Sequence, residues 1–121
     1  MTNYQKGRNF EYLIRKKLES KGFLVIRSAG SKGLFDLVAI KENEVYLIQC
    51  KKNKNNFLYD LKNFYNAIKN LHLGEKIRII FAFTTSKEVS YEELRQKVQQ
   101  IGKEIILFEK GRKQFIYFIY F

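Results

Sequence analysis

The sequence predicts an α/β domain built on a mixed sheet, with its elements in the order αβββαβαββ. Three observations carry that prediction. Three segments repeat apolar residues at helical spacing, and six shorter runs are dense in Phe, Tyr, Val and Ile and bounded by turn residues. The 121 residues are also 45% hydrophobic and 16% aromatic, with no proline, which is too apolar for a disordered chain. A second independent core would leave each half near the lower limit for self-sufficient folding, so residues 1–121 are expected to form one domain.

From Tyr4 to about Ser20, the residues Phe10, Leu13, Ile14 and Leu18 mark one face of a helix, and Gly22 follows as its stop. Three strands are expected next, over Phe23 to Ser28, Phe35 to Ile40 and Val45 to Lys51, as a meander whose last two members join tightly at Glu42-Asn43. Phe57, Leu61, Phe64, Tyr65, Ile68 and Leu71 form the stripe of a second helix ending near Gly74, with His72, the one histidine, at its core edge. Ile77 to Thr84 reads as a buried strand. Ser90 with Glu93 is a capping-box pair opening a third helix through Leu94, Val98 and Ile101, stopped by Gly102. Glu104 to Glu109 and Lys113 to Phe121 are the final strands, about a turn at Lys110 to Arg112. Phe115 to Phe121 carries no charge and is apolar on both faces, so it is expected to lie centrally in the sheet or under a partner subunit.

Charge narrows the partner. Lys and Arg number 23 against 12 Asp and Glu, a formal net charge of +11, and such a surface attracts polyanions by Coulomb steering and counterion release. The basic residues are spread along the chain instead of gathered on one amphipathic helix, which favours nucleic acid over a membrane surface. The longest apolar run, Phe115 to Phe121, is too short to span a bilayer as a helix, and Met1 to Phe10 is polar, unlike a signal peptide. The single cysteine, Cys50, excludes an intramolecular disulfide and a zinc cluster, and it is expected to be a buried filler. Together these features predict a soluble protein of the cytoplasm, with no membrane partner.

The chemistry-bearing residues lie on the second and third strands. Asp36 opens a strand, and Gln49 and Lys51 lie two apart on the next, so strand periodicity turns that pair to one side and a hairpin brings Asp36 near them. A carboxylate, an amide oxygen and a lysine at strand ends in a basic protein are the parts of a metal-dependent phosphodiesterase: oxygens for Mg²⁺, and an ammonium for the water or the developing charge. The plain alternative is a solvated strand edge. Glu11 lies at the border of the first helix's apolar stripe, aimed along the helix–sheet seam, where it either joins this group or pairs with Arg15 at i+4. The run Lys51 to Asn56 is a basic, polar loop beside the group and well placed for phosphates.

Several of these pieces occur together in one family. Lys6-Gly7, Glu11 on the first helix, Gly22-Phe23 leading into Val25-Ile26-Arg27-Ser28-Ala29-Gly30-Ser31, then Asp36-Leu37-Val38-Ala39 and Ile48-Gln49-Cys50-Lys51, appear in the order seen in the archaeal and archaeal-virus Holliday junction resolvases, a branch of the PD-(D/E)XK nucleases. The first 52 or so residues resemble that family. The resemblance implies a restriction-endonuclease-like mixed sheet flanked by helices. It also implies a homodimeric, Mg²⁺-dependent endonuclease, with Mn²⁺ as a possible substitute, that cuts four-way DNA junctions symmetrically in recombination and repair. By position it makes Glu11, Asp36 and Lys51 active-site residues, puts Gln49 at the second metal-binding position, lends the Cys50 backbone carbonyl as a further ligand, and sets Arg27 and Ser31 at the scissile phosphate. Lys6, Arg8, Lys32, Lys52 and Lys54 are the expected phosphate contacts. Two departures stand out: Gln49 replaces the family's usual Glu, and Ser31 to Asp36 is one residue longer than usual. The alternatives are the same machine acting on flap, nicked or single-stranded DNA, and a catalytically weak DNA-binding protein.

Overall fold

In the computed structural model, Thr2 caps the first helix, α1 (Asn3–Ser20): its side chain accepts from the Gln5 N–H while the Gln5 side chain accepts from the Thr2 N–H, a capping box. The structure describes residues 2–28, 33–52, 57–98 and 101–121. Phe10, Ile14 and Leu18, spaced four apart, are all buried, which fixes the face α1 turns to the sheet. The helix ends in a Schellman arrangement. Gly22 N–H bonds the Glu19 carbonyl and Phe23 N–H the Leu18 carbonyl, with Gly22 at φ 93°, a conformation that strains any other residue.

Strands β1 (Leu24–Arg27), β2 (Leu37–Lys41) and β3 (Glu44–Lys51) form the predicted antiparallel meander, turned at Glu42-Asn43 with Glu42 at φ 56°. Helix α2 (Phe57–Ile68) crosses over to β4 (Ile77–Thr85), which pairs parallel with β3. Helix α3 (Tyr91–Val98) follows, with the Ser90 hydroxyl accepting from the Glu93 N–H, and then β5 (Glu104–Lys110) and β6 (Phe115–Tyr120). The sheet order is β1-β2-β3-β4-β6-β5, so the structure is a mixed α/β fold of the restriction-endonuclease-like kind in the order the sequence predicts.

Two apolar clusters line the two faces. One gathers Phe10, Ile14 and Leu18 of α1 with Leu37, Ala39, Ile48, Ile80 and Phe118; the other gathers Phe57, Leu61 and Phe64 of α2 and Leu94 of α3 with Phe81, Phe83 and Tyr117. Strand β6 contributes to both and lies between β4 and β5, so the segment is an internal strand and the partner-covered reading of it falls. A second correction concerns α2, which stops at Ile68: His72 and Leu71 are exposed in the connection to β4 instead of continuing the stripe. Among the described residues, no helix is long and apolar enough to cross a membrane.

Apart from Lys51 at the end of β3, the strands β1 to β4 segregate charge by face. Arg27, Lys41, Glu44 and Arg78 all alternate onto the α1 side, whereas Leu24, Ile26, Val38, Ile40, Val45, Leu47, Ile77 and Ile79 share the other. The helices on that second side pack on β4 and β5, and Leu24 and Ile26 remain 62% and 50% exposed. An aliphatic sheet face there reverses the usual polar-out pattern of a solvated sheet.

Candidate active site

Asp36 stands just before β2, at an irregularity that strand periodicity does not announce. Its N–H donates to the Ile48 carbonyl at 2.8 Å, yet the ladder pairs Ile48 with Leu37. Two residues of one strand therefore face one of the other, a β-bulge, which breaks the alternation and re-aims the bulged side chain. Asp36 Oδ2 turns onto the sheet and accepts the Cys50 N–H at 2.7 Å. Val45 bonds toward β4 through the Lys76 carbonyl, so odd residues of β3 bond toward β4 and even ones toward β2. The Cys50 carbonyl consequently points to the β2 side, as its N–H does.

Burial is the largest influence on Asp36 and pushes its carboxyl above the ordinary aspartate range. The Cys50 N–H opposes that rise, the Glu11 carboxylate adds to it, and Lys51 and Arg27 pull it down. The structure thus brings Glu11, Arg27, Asp36 and Lys51 into one electrostatic neighbourhood. Glu11 is half-buried on α1, and its Oε2 accepts from Arg27 Nε at 3.1 Å; Arg15 pairs with Glu19 instead, at 3.4 Å. Arg27 shares its strand face with buried Val25, on the α1 side, while Gln49 and Lys51 alternate onto the other.

Gln49 Oε1 is buried and has no hydrogen-bond partner. An acceptor left this way costs on the order of 1–3 kcal/mol, so its retention calls for a reason. Lys51, two residues on, is exposed. Among the described residues, no three His, Cys, Asp or Glu side chains gather to hold an ion by themselves. A hard divalent cation asks for oxygens of any kind, however, and the carboxylate of Asp36, the Cys50 carbonyl and the unpartnered Gln49 oxygen form a donor set that fits one. The Cys50 thiol is raised well above its ordinary range, first by burial and then by the Asp36 and Glu11 charges, which leaves it a filler and no nucleophile.

Arg8, Glu11, Tyr12, Arg15, Arg27 and Leu37 line a cleft of about 270 Å³ beside this group. Tyr12 and the phosphate-binding potential of Arg15 escape the sequence reading, although positions 8, 11, 12 and 15 share one helix face by their spacing. Lys52 lines a neighbouring cleft with Tyr12 and Lys16, whose ammonium sits 5.3 Å from the Tyr12 ring centre. Lys6 and Arg8 are exposed on α1. Ser31, Lys32 and Lys54, singled out by the sequence, lie outside the described residues.

Comparison with known proteins places these residues in context. The family model for archaeal Holliday junction resolvase (Hjc) matches residues 2–71, a stretch containing every described residue of the group. The chain is also similar to the crossover junction endodeoxyribonuclease Hjc of Methanocaldococcus jannaschii, 46% identical over 56 residues, which are 46% of this chain and 41% of that protein. The match therefore spans less than half the length of that curated relative.

Proposed function

Since the chain belongs to the archaeal Holliday junction resolvase family, we propose that it is a divalent-metal-dependent endodeoxyribonuclease that resolves four-way DNA junctions by symmetric phosphodiester hydrolysis, as a homodimer. The observation that supports this reading best is the bulge that aims Asp36 at the N–H of Cys50, the residue after Gln49, whose buried side-chain oxygen has no donor. Asp36, Gln49 and the Cys50 carbonyl, with Glu11 as a further carboxylate, would hold Mg²⁺ or Mn²⁺. Such a cation, when bound, supplies Lewis-acid polarisation of a phosphoryl oxygen and lowers the pKa of a water.

The protein's own groups do the rest. Lys51 sets an ammonium beside the scissile phosphate, where it offsets charge that grows in the transition state and orients the water. Arg27, held in place by Glu11, presents its guanidinium to the same phosphate, with Ser31 assisting. Lys6, Arg8, Lys32, Lys52 and Lys54, joined by Arg15, neutralise flanking phosphates.

Matched cuts in two strands need two sites about a two-fold axis. The aliphatic face of β1 to β3 is the surface offered for a second copy. A two-fold contact sets a patch against itself, so between chains of +11 the patch must be low in charge, and from Leu24 and Ile26 through Val38 and Ile40 to Val45 and Leu47 it is aliphatic, with Lys51 only at its far end. Its exposed side chains, Leu24 at 62% and Ile26 at 50% among them, would form the core of a contact burying roughly 800 Å² per partner.

The test is cleavage in Mg²⁺ of matched four-way, flap, linear duplex and single-stranded substrates. Paired cuts in the junction alone are expected. Preference for flaps or single strands would transfer the same machine to another substrate, and tight binding with no cleavage of any of them would make the protein a DNA-binding one.

A further inference from the structure

We propose that Gln49 makes cation binding conditional on DNA: the protein alone holds a divalent ion weakly, and a substrate phosphate supplies the missing negative charge. The proposal rests on the nuclease reading and goes beyond it, because it concerns the order and coupling of binding.

The charges carry the argument. Glu11 is already matched by Arg27 at 3.1 Å. Of the remaining groups, Asp36 is an anion, Lys51 a cation and Gln49 neutral, so the five side chains together carry no formal charge, within a chain of +11. The number of charged ligands is a main control of affinity for hard cations, and here Glu11 is already matched by Arg27, which leaves Asp36 as the principal anion. Gln49 still contributes geometry. Its Oε1 is buried and without a donor, a lone pair held ready for an electrophile. A carboxylate in the same place would be desolvated and would repel Asp36, which already feels Glu11. A glutamine there removes that repulsion from the cation-free protein and leaves the cation short of one charge. A phosphodiester brings one negative charge and oxygen donors, so DNA and cation should each tighten the other by the same factor.

The test uses Ca²⁺ as a hard, oxygen-seeking probe. It is titrated calorimetrically into DNA-free wild type and Gln49→Glu. In parallel, the affinity for a labelled four-way junction is measured by anisotropy with and without Ca²⁺ at fixed ionic strength, with gels on the same samples to show that the DNA is intact. The wild type should bind Ca²⁺ alone no tighter than about the millimolar range, yet Ca²⁺ should tighten its junction binding by about tenfold or more. Gln49→Glu should bind Ca²⁺ alone about tenfold more tightly than the wild type. It should melt below the wild type in chelator and recover when Ca²⁺ is added. Asp36→Ala should lose the Ca²⁺ effect on DNA affinity. Equal Ca²⁺ affinity of free wild type and Gln49→Glu, or a Ca²⁺ effect that survives in Asp36→Ala, would overturn the coupling. An active enzyme whose DNA affinity ignores Ca²⁺ would overturn it too while leaving the nuclease reading intact, whereas that reading fails separately if the wild type cuts no substrate in Mg²⁺ or Mn²⁺.

Discussion

An aspartate that is desolvated and set near a second carboxylate is held at a cost to the fold, and that cost is one signature of a group kept for chemistry. For Asp36 the cost is readable as an expected stability change. Asp36→Asn keeps an acceptor for the Cys50 N–H and removes the buried charge, so the cation-free protein should melt about 2–5 °C higher at neutral pH by scanning calorimetry. Lower melting would mean that the carboxylate stabilises the fold instead. Activity should respond in the opposite sense: Asp36→Ala and Lys51→Ala should each cut junctions at least about 100-fold more slowly. In chelator their DNA affinity should change little, because without a cation it comes from the diffuse basic surface. Undiminished cleavage by Asp36→Ala would remove the proposed site. Gln49 and Lys51 are legible from period two alone, since β3 is regular. The bulge at Asp36 is invisible to that rule, because nothing local in the sequence states how many residues of β2 will face Ile48. The Glu11–Arg27 pair is invisible for a related reason: it joins residues sixteen apart whose meeting depends on how α1 lies across β1.

Among the elements, β6 shows most clearly where pattern gives out. A run that is apolar on both faces states that both faces are covered, but it leaves open whether the cover is the chain's own helices or another subunit. Pairing between β4 and β5 settles it, and that order depends on long-range contacts. Tyr117 and Phe118 are each 2% exposed and belong to opposite clusters. Glutamate at either position buries an unpaired charge, so both Tyr117→Glu and Phe118→Glu should fail to fold, a loss above about 3 kcal/mol. A folded Phe118→Glu protein by circular dichroism would contradict the internal placement. The aliphatic face behaves differently. Ile26 is half exposed at the sheet edge, so Ile26→Glu should leave the melting of the monomer nearly unchanged and convert a sedimenting dimer to a monomer. A wild type that sediments as a monomer would end the dimer proposal for this face. The end of α2 at Ile68 is likewise hidden from pattern, because Leu71 continues the helical spacing while the backbone has already left the helix.

At the scale of the whole molecule, the proposed function makes the basic surface the part that holds DNA. About five phosphate contacts should give a slope of log affinity against log salt near −4 to −5 on duplex DNA, at about −0.9 per contact. Replacing Arg15 and Lys52 by alanine should flatten that slope by up to about two units while junction preference persists, since phosphate contacts position without specifying. An unchanged slope in a salt titration would show that these clefts do not touch the backbone. In the proposed dimer, preference for a junction would then come from shape, with two basic surfaces engaging arms that a linear duplex cannot present together. Composition alone made the polyanion partner legible, whereas the arrangement of Arg8, Arg15 and Arg27 around one cleft needed the helix and the strand to be set side by side.

The meander of α1 and β1 to β3 holds Glu11, Arg27, Asp36, Gln49 and Lys51 on consecutive elements. The later elements extend the sheet through a single parallel seam between β3 and β4 and contribute none of them. In genetic terms the chemistry travels as one short cassette. An exchange of coding sequence anywhere downstream of Lys54 would alter the scaffold and transmit the site whole.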